Sequence, residues 1–176
     1  MDTSTLENIA EDFISHKLQQ QGLLVAKPKS DRLGTDLLVF AEIADGVKFC
    51  RIQNKGRSLI NSKSSHIEIP KDYVTNGFLV FLYLELTHES CDLYVFFPKD
   101  IMGWNQTPKN EYQLNFSASN VKDKLNPYLF DSSKVKLIEN LILGAETHGE
   151  FRGLVYGILK STLPSFKSNA KGTVTE

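Results

Sequence analysis

Hydrophobic positions change their period several times along the chain, and each change marks a predicted element. Leu6, Ile9, Ala10, Phe13, Ile14 and Leu18 recur at the spacing of one helix face. Ser4-Thr5-Leu6-Glu7 has the form of a capping box, with Ser4 at the helix start and Glu7 reaching back to its amide. Gly22 supplies the stop. Leu23–Ala26 is then a short strand and Lys27–Arg32 a polar loop containing Pro28. Gly34-Thr35-Asp36 opens a strand through Leu37-Leu38-Val39-Phe40, and a turn at Asp45-Gly46 returns the chain through Val47 to Arg57. The stretch Gly34–Arg57 therefore reads as a hairpin.

Side chains alternate along that second strand, so Arg51, Gln53 and Lys55 share one face while Cys50 and Ile52 point to the other, into a core. Ser58–Ser65 is a Ser/Asn/Lys-rich loop, and Ser65–Ile69 alternates like a strand that stops at Pro70. Lys71–Asn76 is a short turn or helix. Phe78–Leu86 is apolar on both faces, the pattern of a central strand covered on both sides. A polar turn, Thr87–Asp92, leads to a partner strand at Leu93–Phe97. Lys99–Trp104 reads as a helical turn and Ser119–Leu125 as a short helix stopped before Pro127. A longer helix is predicted from Asp131 to Glu146, capped by Asp131 and burying Val135, Ile138, Leu141, Ile142 and Ala145. Phe151–Leu163 suits either a helix or a strand, and the tail from Ser165 reads as disordered. The expected fold is α/β (or α+β), one domain over residues 1–164 followed by a tail at 165–176. Its N-terminal helix leads into a mixed sheet of about five strands with helices on both sides.

Composition narrows the class without choosing a function. A hydrophobic fraction of 41% and a charged fraction of 23% are those of an ordinary globular domain. No apolar run approaches the ~20 residues of a membrane-spanning helix, and Met1-Asp2-Thr3-Ser4 is not the start of a secretory signal. Cys50 and Cys91 match no metal or redox spacing and read as reduced thiols in a cytoplasmic protein. The net charge of −1 argues against a nucleic-acid partner until its distribution is considered. Between Lys27 and Lys63 eight basic residues face four acidic ones, a net +4, which leaves −5 for the rest. That asymmetry is compatible with one basic face.

The candidate chemistry sits in the hairpin. A carboxylate at one strand edge and an amide–ammonium pair on the next strand can hold a divalent metal and a water. Asp36 followed by Gln53-Asn54-Lys55 resembles the PD-(D/E)XK nuclease superfamily, whose motif is an acidic residue on one strand and (D/E)-x-K on the next. Gly34-Thr35 stand where the superfamily's name has proline, and Gln53 makes the second element a Q-x-K variant. The likeness is to resolvase-like and Mrr-like members, in which a helix glutamate precedes the motif, and it covers roughly residues 5–57.

The resemblance implies a restriction-endonuclease-like fold and Mg²⁺- or Mn²⁺-dependent hydrolysis of phosphodiester bonds in DNA, in a repair, recombination or restriction setting. Asp36, Gln53 and Glu11 would be the metal ligands. Lys55 would orient the attacking water, and Arg51 or Arg57 would hold a phosphate. Glu7 and Glu11 both border the apolar stripe of the first helix, but Glu7 has a role in the cap and Glu11 has none. Glu11 also stands eleven residues before Gly22, a spacing like that of the helix glutamate in resolvase-like members, so Glu11 is the candidate. An amide in place of a carboxylate removes one negative charge and predicts weaker metal affinity. A non-catalytic nucleic-acid or protein binding module on the same fold is the rival. Symmetrical cutting of two strands would call for a homodimer.

Other chemistries lack their motifs: there is no GxxxxGK[ST], GxSxG, HExxH or paired CxxC. His66 reads as a half-exposed strand histidine, and Trp104, Tyr112 and Phe116 read as core aromatics before they read as base-stacking platforms.

Overall fold

The computed structural model describes residues 3–30, 33–43 and 46–144. Helix α1 (Thr3–Gln20) buries Leu6, Ala10, Ile14 and Leu18. It ends at Gly22, whose φ of +82° is the left-handed turn that lets Leu23 N–H bond back to Leu18 C=O at 3.2 Å. Strands β1 (Leu24–Ala26), β2 (Leu37–Ile43) and β3 (Gly46–Ser58) form an antiparallel meander. Strand β4 (Ser64–Pro70) follows, then a 3₁₀ turn at Lys71–Tyr73. Strands β5 (Phe78–Thr87) and β6 (Ser90–Phe96) come next, then α2 (Pro98–Met102), β7 (Asn105–Gln106) and β8 (Glu111–Ser117). The described chain finishes with α3 (Val121–Leu125), a 3₁₀ turn at Asn126–Tyr128 and α4 (Ser132–Gly144).

Five strands make one mixed sheet in the order β1-β2-β3-β5-β6, in which β3 and β5 are parallel. Strand β5 is the central, doubly covered strand its sequence predicts. Leu79, Phe81 and Tyr83 join the core beneath α1 and α4, while Phe78, Val80, Leu82 and Leu84 join a second core on the opposite face. Each such side chain contributes about 1.5–3 kcal/mol of apolar burial, so this strand anchors both layers.

The second face differs from the expectation of helices on both sides. A separate three-stranded sheet, β4-β8-β7, covers it together with the short helices α2 and α3. Strand β8 carries the alternation that makes this work: Leu114, opposite Ile67 of β4, and Phe116 are buried in the same core as Ile67 and Ile69, while Glu111, Gln113 and Asn115 take the intervening positions. Trp104 and Phe116 are core aromatics, and Trp104 meets Phe96 edge-on at 5.0 Å between centroids.

Two caps divide in outcome. Asp131 caps α4, its Oδ1 accepting from Ser133 N at 2.9 Å and Lys134 N at 3.1 Å. At the other end of the chain α1 already includes Thr3, so Ser4 lies inside the helix, and the Glu7 carboxylate turns to Arg57 at 3.3 Å. The expectations for the Asp45 turn residue, Ala145 and Glu146, Phe151–Leu163 and a tail at 165–176 fall outside the described residues.

Candidate functional site

Strand β2 pairs with β3 only as far as Leu37 opposite Ile52, whereas β3 stays paired with β5 from Arg51 to Ser58. Beyond Ile52, one edge of β3 therefore loses its neighbour. Hydrogen-bonding groups along a strand point alternately to its two sides. Arg51 N–H bonds to Gly77 C=O on the β5 side, so the backbone groups of Asn54 and Gly56 face the open edge. Two side chains occupy that edge. Asp36 Oδ2 accepts from Asn54 N–H at 2.5 Å, and Arg57 Nη1 donates to Gly56 C=O at 2.7 Å.

Asp36 stands just before β2, tied by its own N–H to Ile52 C=O at 2.9 Å. Carrying the β2–β3 register one residue further sets it across from Gln53. The approach is made by Leu33 and Gly34, both left-handed at φ +57° and +63°. At Gly34 a Cβ would lie 2.5 Å from the Tyr73 ring and 2.9 Å from Gln53 Nε2, so only glycine fits between them.

Register places Arg51, Gln53, Lys55 and Arg57 opposite Phe78, Val80, Leu82 and Leu84, on the face of the second core. Gln53 is 7% exposed, and its Oε1 is buried with no hydrogen-bond partner among the described residues. An orphaned buried carbonyl of this kind costs about 1–3 kcal/mol unless something else occupies it. Lys55, half-buried, makes no hydrogen bond or ion pair with the described residues. On the other face of β3 the Asn54 amide is also buried without a partner among the described residues, and Gly56 packs so closely on α1 that a Cβ would meet Leu6 C=O at 2.8 Å.

Helix α1 brings two carboxylates toward this region. Glu11, 15% exposed, forms an ion pair with Lys27, and Glu7 pairs with Arg57. Lys27 is 63% exposed, and its ammonium is held above the ordinary lysine range. The largest cause is the hydrogen bond to Glu11, followed by the Glu11 charge; slight desolvation opposes them, and the charges of Asp12 and Asp36 add to them. One ammonium therefore senses both Glu11 and Asp36. Arg57 spans the edge from Glu7 to His66 C=O, which it reaches through Nε at 2.9 Å. A cavity of about 460 Å³ lined by Leu6, Ser58, Ile60, Asn61, Glu85 and His88 opens past the C-terminal end of β3 and holds none of the candidate side chains.

Comparison with solved structures finds the same arrangement of helices and strands in a bacterial homing endonuclease, I-Ssp6803I. The TM-score is 0.54 at 14% identity, over 82% of this chain and 97% of that one. The fold is restriction-endonuclease-like. A Holliday junction resolvase, Hjc from the archaeal hyperthermophile Archaeoglobus fulgidus, also matches, with a TM-score of 0.45 at 9% identity, over 73% of this chain and 93% of that one. No family model matches the sequence, and no curated protein matches it.

Within this fold the sequence candidates separate. Asp36, Gln53 and Lys55 lie along one strand end, and Glu11 approaches through Lys27. Arg51 is turned into the protein. It is 7% exposed, its Nη2 donates to Tyr73 C=O at 3.2 Å and Thr75 Oγ1 at 2.9 Å, and its guanidinium lies over the Phe78 ring. Its charge is spent on the wall that carries Tyr73. Arg57, 22% exposed, is the arginine at the edge.

Among the described residues no group of three or more His, Cys, Asp or Glu is placed to hold a metal ion. The available donors are the Asp36 carboxylate, Gln53 Oε1, the Asn54 backbone carbonyl and Glu11. This all-oxygen set fits a hard divalent cation that keeps several waters, and the unpartnered Gln53 Oε1 is the donor that most needs one. Lys27 is the residue that sequence reasoning passed over. It lies in a polar loop with no periodicity, sixteen positions from its partner.

Proposed function

We propose that this chain is a divalent-metal-dependent nuclease that hydrolyses phosphodiester bonds in DNA, with Mg²⁺ or Mn²⁺ as the metal. The observation that carries the reading is the open edge of β3, where Asp36 binds Asn54 N–H beside Gln53 Oε1 and Lys55, neither of which has a partner among the described residues. The shared fold of a homing endonuclease supports DNA as the substrate class.

Asp36, Gln53 Oε1 and the Asn54 carbonyl would hold the metal, with Glu11 directly or through water. When bound, the metal offsets charge developing on the phosphate oxygens and favours ionisation of water. Lys55 holds the attacking water by its ammonium and stabilises hydroxide electrostatically. Arg57 presents its guanidinium to a phosphate, already fixed by Glu7 and by the carbonyls of Gly56 and His66. Packing of Tyr73 against Gly34 keeps Asp36 and Gln53 in register with each other.

The test is cleavage of linear, nicked and branched DNA with Mg²⁺ or Mn²⁺, comparing the native chain with Asp36→Ala and Lys55→Ala. Metal-dependent cleavage lost in both variants supports the proposal, and cleavage that survives both removes it. One observation favours a second reading. Gln53 supplies an amide where the superfamily motif has a carboxylate, so the same edge could bind DNA without turning it over. Salt-sensitive binding with no metal-dependent cleavage on any DNA form would select that module.

A further inference from the structure

The ion pair between Lys27 and Glu11 joins α1 to the loop that follows β1. Glu11 is mostly buried yet has a single counter-charge among the described residues, and that charge comes from a lysine whose own side chain is largely in water. Asp36, the other carboxylate of the set, contributes to the field at the same ammonium. A lysine stem is long and flexible, so its head can leave without disturbing the backbone that carries it. Lys55, by contrast, approaches from the face of the second core and contacts neither carboxylate.

We infer, on the footing of the nuclease reading, that Lys27 is a positioning residue whose ammonium serves as the resident cation of the resting site. It holds Glu11 toward Asp36 before metal arrives, and it competes with a divalent cation for Glu11. Metal and ammonium are like charges for one carboxylate, so binding of the first expels the second. Lys27 thereby sets the metal concentration at which the site fills, and keeps two nearby carboxylates from repelling each other while it is empty. The displaced head stays tethered at the rim of the site, where it adds one positive charge to the phosphate-binding edge.

The direct test is Mn²⁺ binding, read by electron paramagnetic resonance and calorimetry without any substrate. Lys27→Met keeps the length of the stem and removes the charge. Loss of one positive charge at a few ångströms from a divalent ion, on a surface exposed to solvent, is expected to tighten binding about tenfold at low salt. In a Glu11→Gln background the same substitution should change affinity less than about twofold, since the shared ligand is gone. Unchanged or weaker binding in Lys27→Met, with the native chain still binding Mn²⁺ through Asp36, would overturn the inference and leave the nuclease reading intact. Absence of Mn²⁺ binding in both chains would overturn both. Binding that appears only once Lys27 is removed would support the competition directly. Circular dichroism melts of Lys27→Met serve as the folding control.

Discussion

Replacing Gln53 with glutamate is the substitution whose two effects have opposite signs, and this makes it the sharpest probe of the site. The residue is 7% exposed and stands across from Asp36, and its Oε1 has no partner among the described residues. A carboxylate introduced there finds no hydrogen-bond donor in place of the amide it lost and gains a like-charged neighbour. Both raise its pKa above the unfolded value of about 4.3. If burial and Asp36 together carry it to about 7, the penalty at neutral pH is roughly 2.7 units at 1.36 kcal/mol each, or about 3–4 kcal/mol. The sign follows from the raised pKa. The folded variant binds the extra proton, so its stability is nearly native below pH 4 and falls as pH rises through the folded pKa. Metal reverses the loss: a cation at a hundred times its dissociation constant returns about 2.7 kcal/mol, because it binds only the folded state. Urea unfolding of Gln53→Glu and the native chain at pH 5 and pH 8, with and without 10 mM Mg²⁺, would read both the pH-dependent penalty and its reversal by metal. A variant that is as stable as the native chain at pH 8 without metal, and gains no more from Mg²⁺, would refute the placement of Gln53 Oε1 as a metal donor.

Other substitutions separate fold from function. Gly56→Ala puts a Cβ within 2.8 Å of the Leu6 carbonyl, a backbone atom, and should cost about 1–3 kcal/mol in urea unfolding by pushing α1 off β3. Gly34→Ala meets the Tyr73 ring and the Gln53 amide at a φ of +63°, so it should weaken Mn²⁺ binding as well as lower the melting temperature. Arg51→Ala strands the carbonyl and hydroxyl it serves and should destabilise by about 2–4 kcal/mol, with the salt dependence of DNA binding unchanged. Arg57→Ala should instead lower the slope of log affinity against log salt by about one. Burial pushes the Cys50 thiol up to about 12, so thiol reagents at pH 8 should modify Cys91 in the native state and Cys50 only on unfolding, read by mass spectrometry.

The parts of the fold that a period can encode are legible in the chain. The stripe of α1, the doubly apolar β5 and the alternation that sets Gln53 and Lys55 on one face of β3 all follow from local spacing. What spacing cannot encode is what covers a face. Arg51 lies on the face its position predicts, but Tyr73 and Thr75 arrive over it from more than twenty residues away and remove it from solvent. Glu7 has the local pattern of a capping residue, and a guanidinium fifty positions downstream claims it. Strand β8 did carry a signal. Tyr112, Leu114 and Phe116 alternate with Glu111, Gln113 and Asn115, and attending to the aromatics alone conceals the strand. The two residues of β7 are too few for any period to show. At the site, Asp36 and Q-x-K are readable as a motif, whereas the left-handed approach through Leu33 and Gly34 is a tertiary demand made by Tyr73 and Gln53.

An exposed strand edge with unpaired amides and carbonyls is a template for association with another chain, and proteins cover such edges. Here the divergence of β2 opens β3 beyond Ile52, and the covering groups are side chains: Asp36 takes Asn54 N–H and Arg57 takes Gly56 C=O. Both therefore belong to the fold as well as to the proposed chemistry. Loss of activity in Asp36→Ala would confound two causes, since removing a charge-assisted bond to a backbone amide costs about 1.5–3 kcal/mol by itself. Lys55 has no such double role, being half-buried and uncommitted among the described residues. Lys55→Met should leave urea unfolding within about 0.5 kcal/mol of native and leave Mn²⁺ affinity equal or slightly tighter, while cleavage falls by about 10²-fold or more. If Lys55→Met cleaves at the native rate, the ammonium takes no part in the reaction, and the open edge would have to be explained by binding alone.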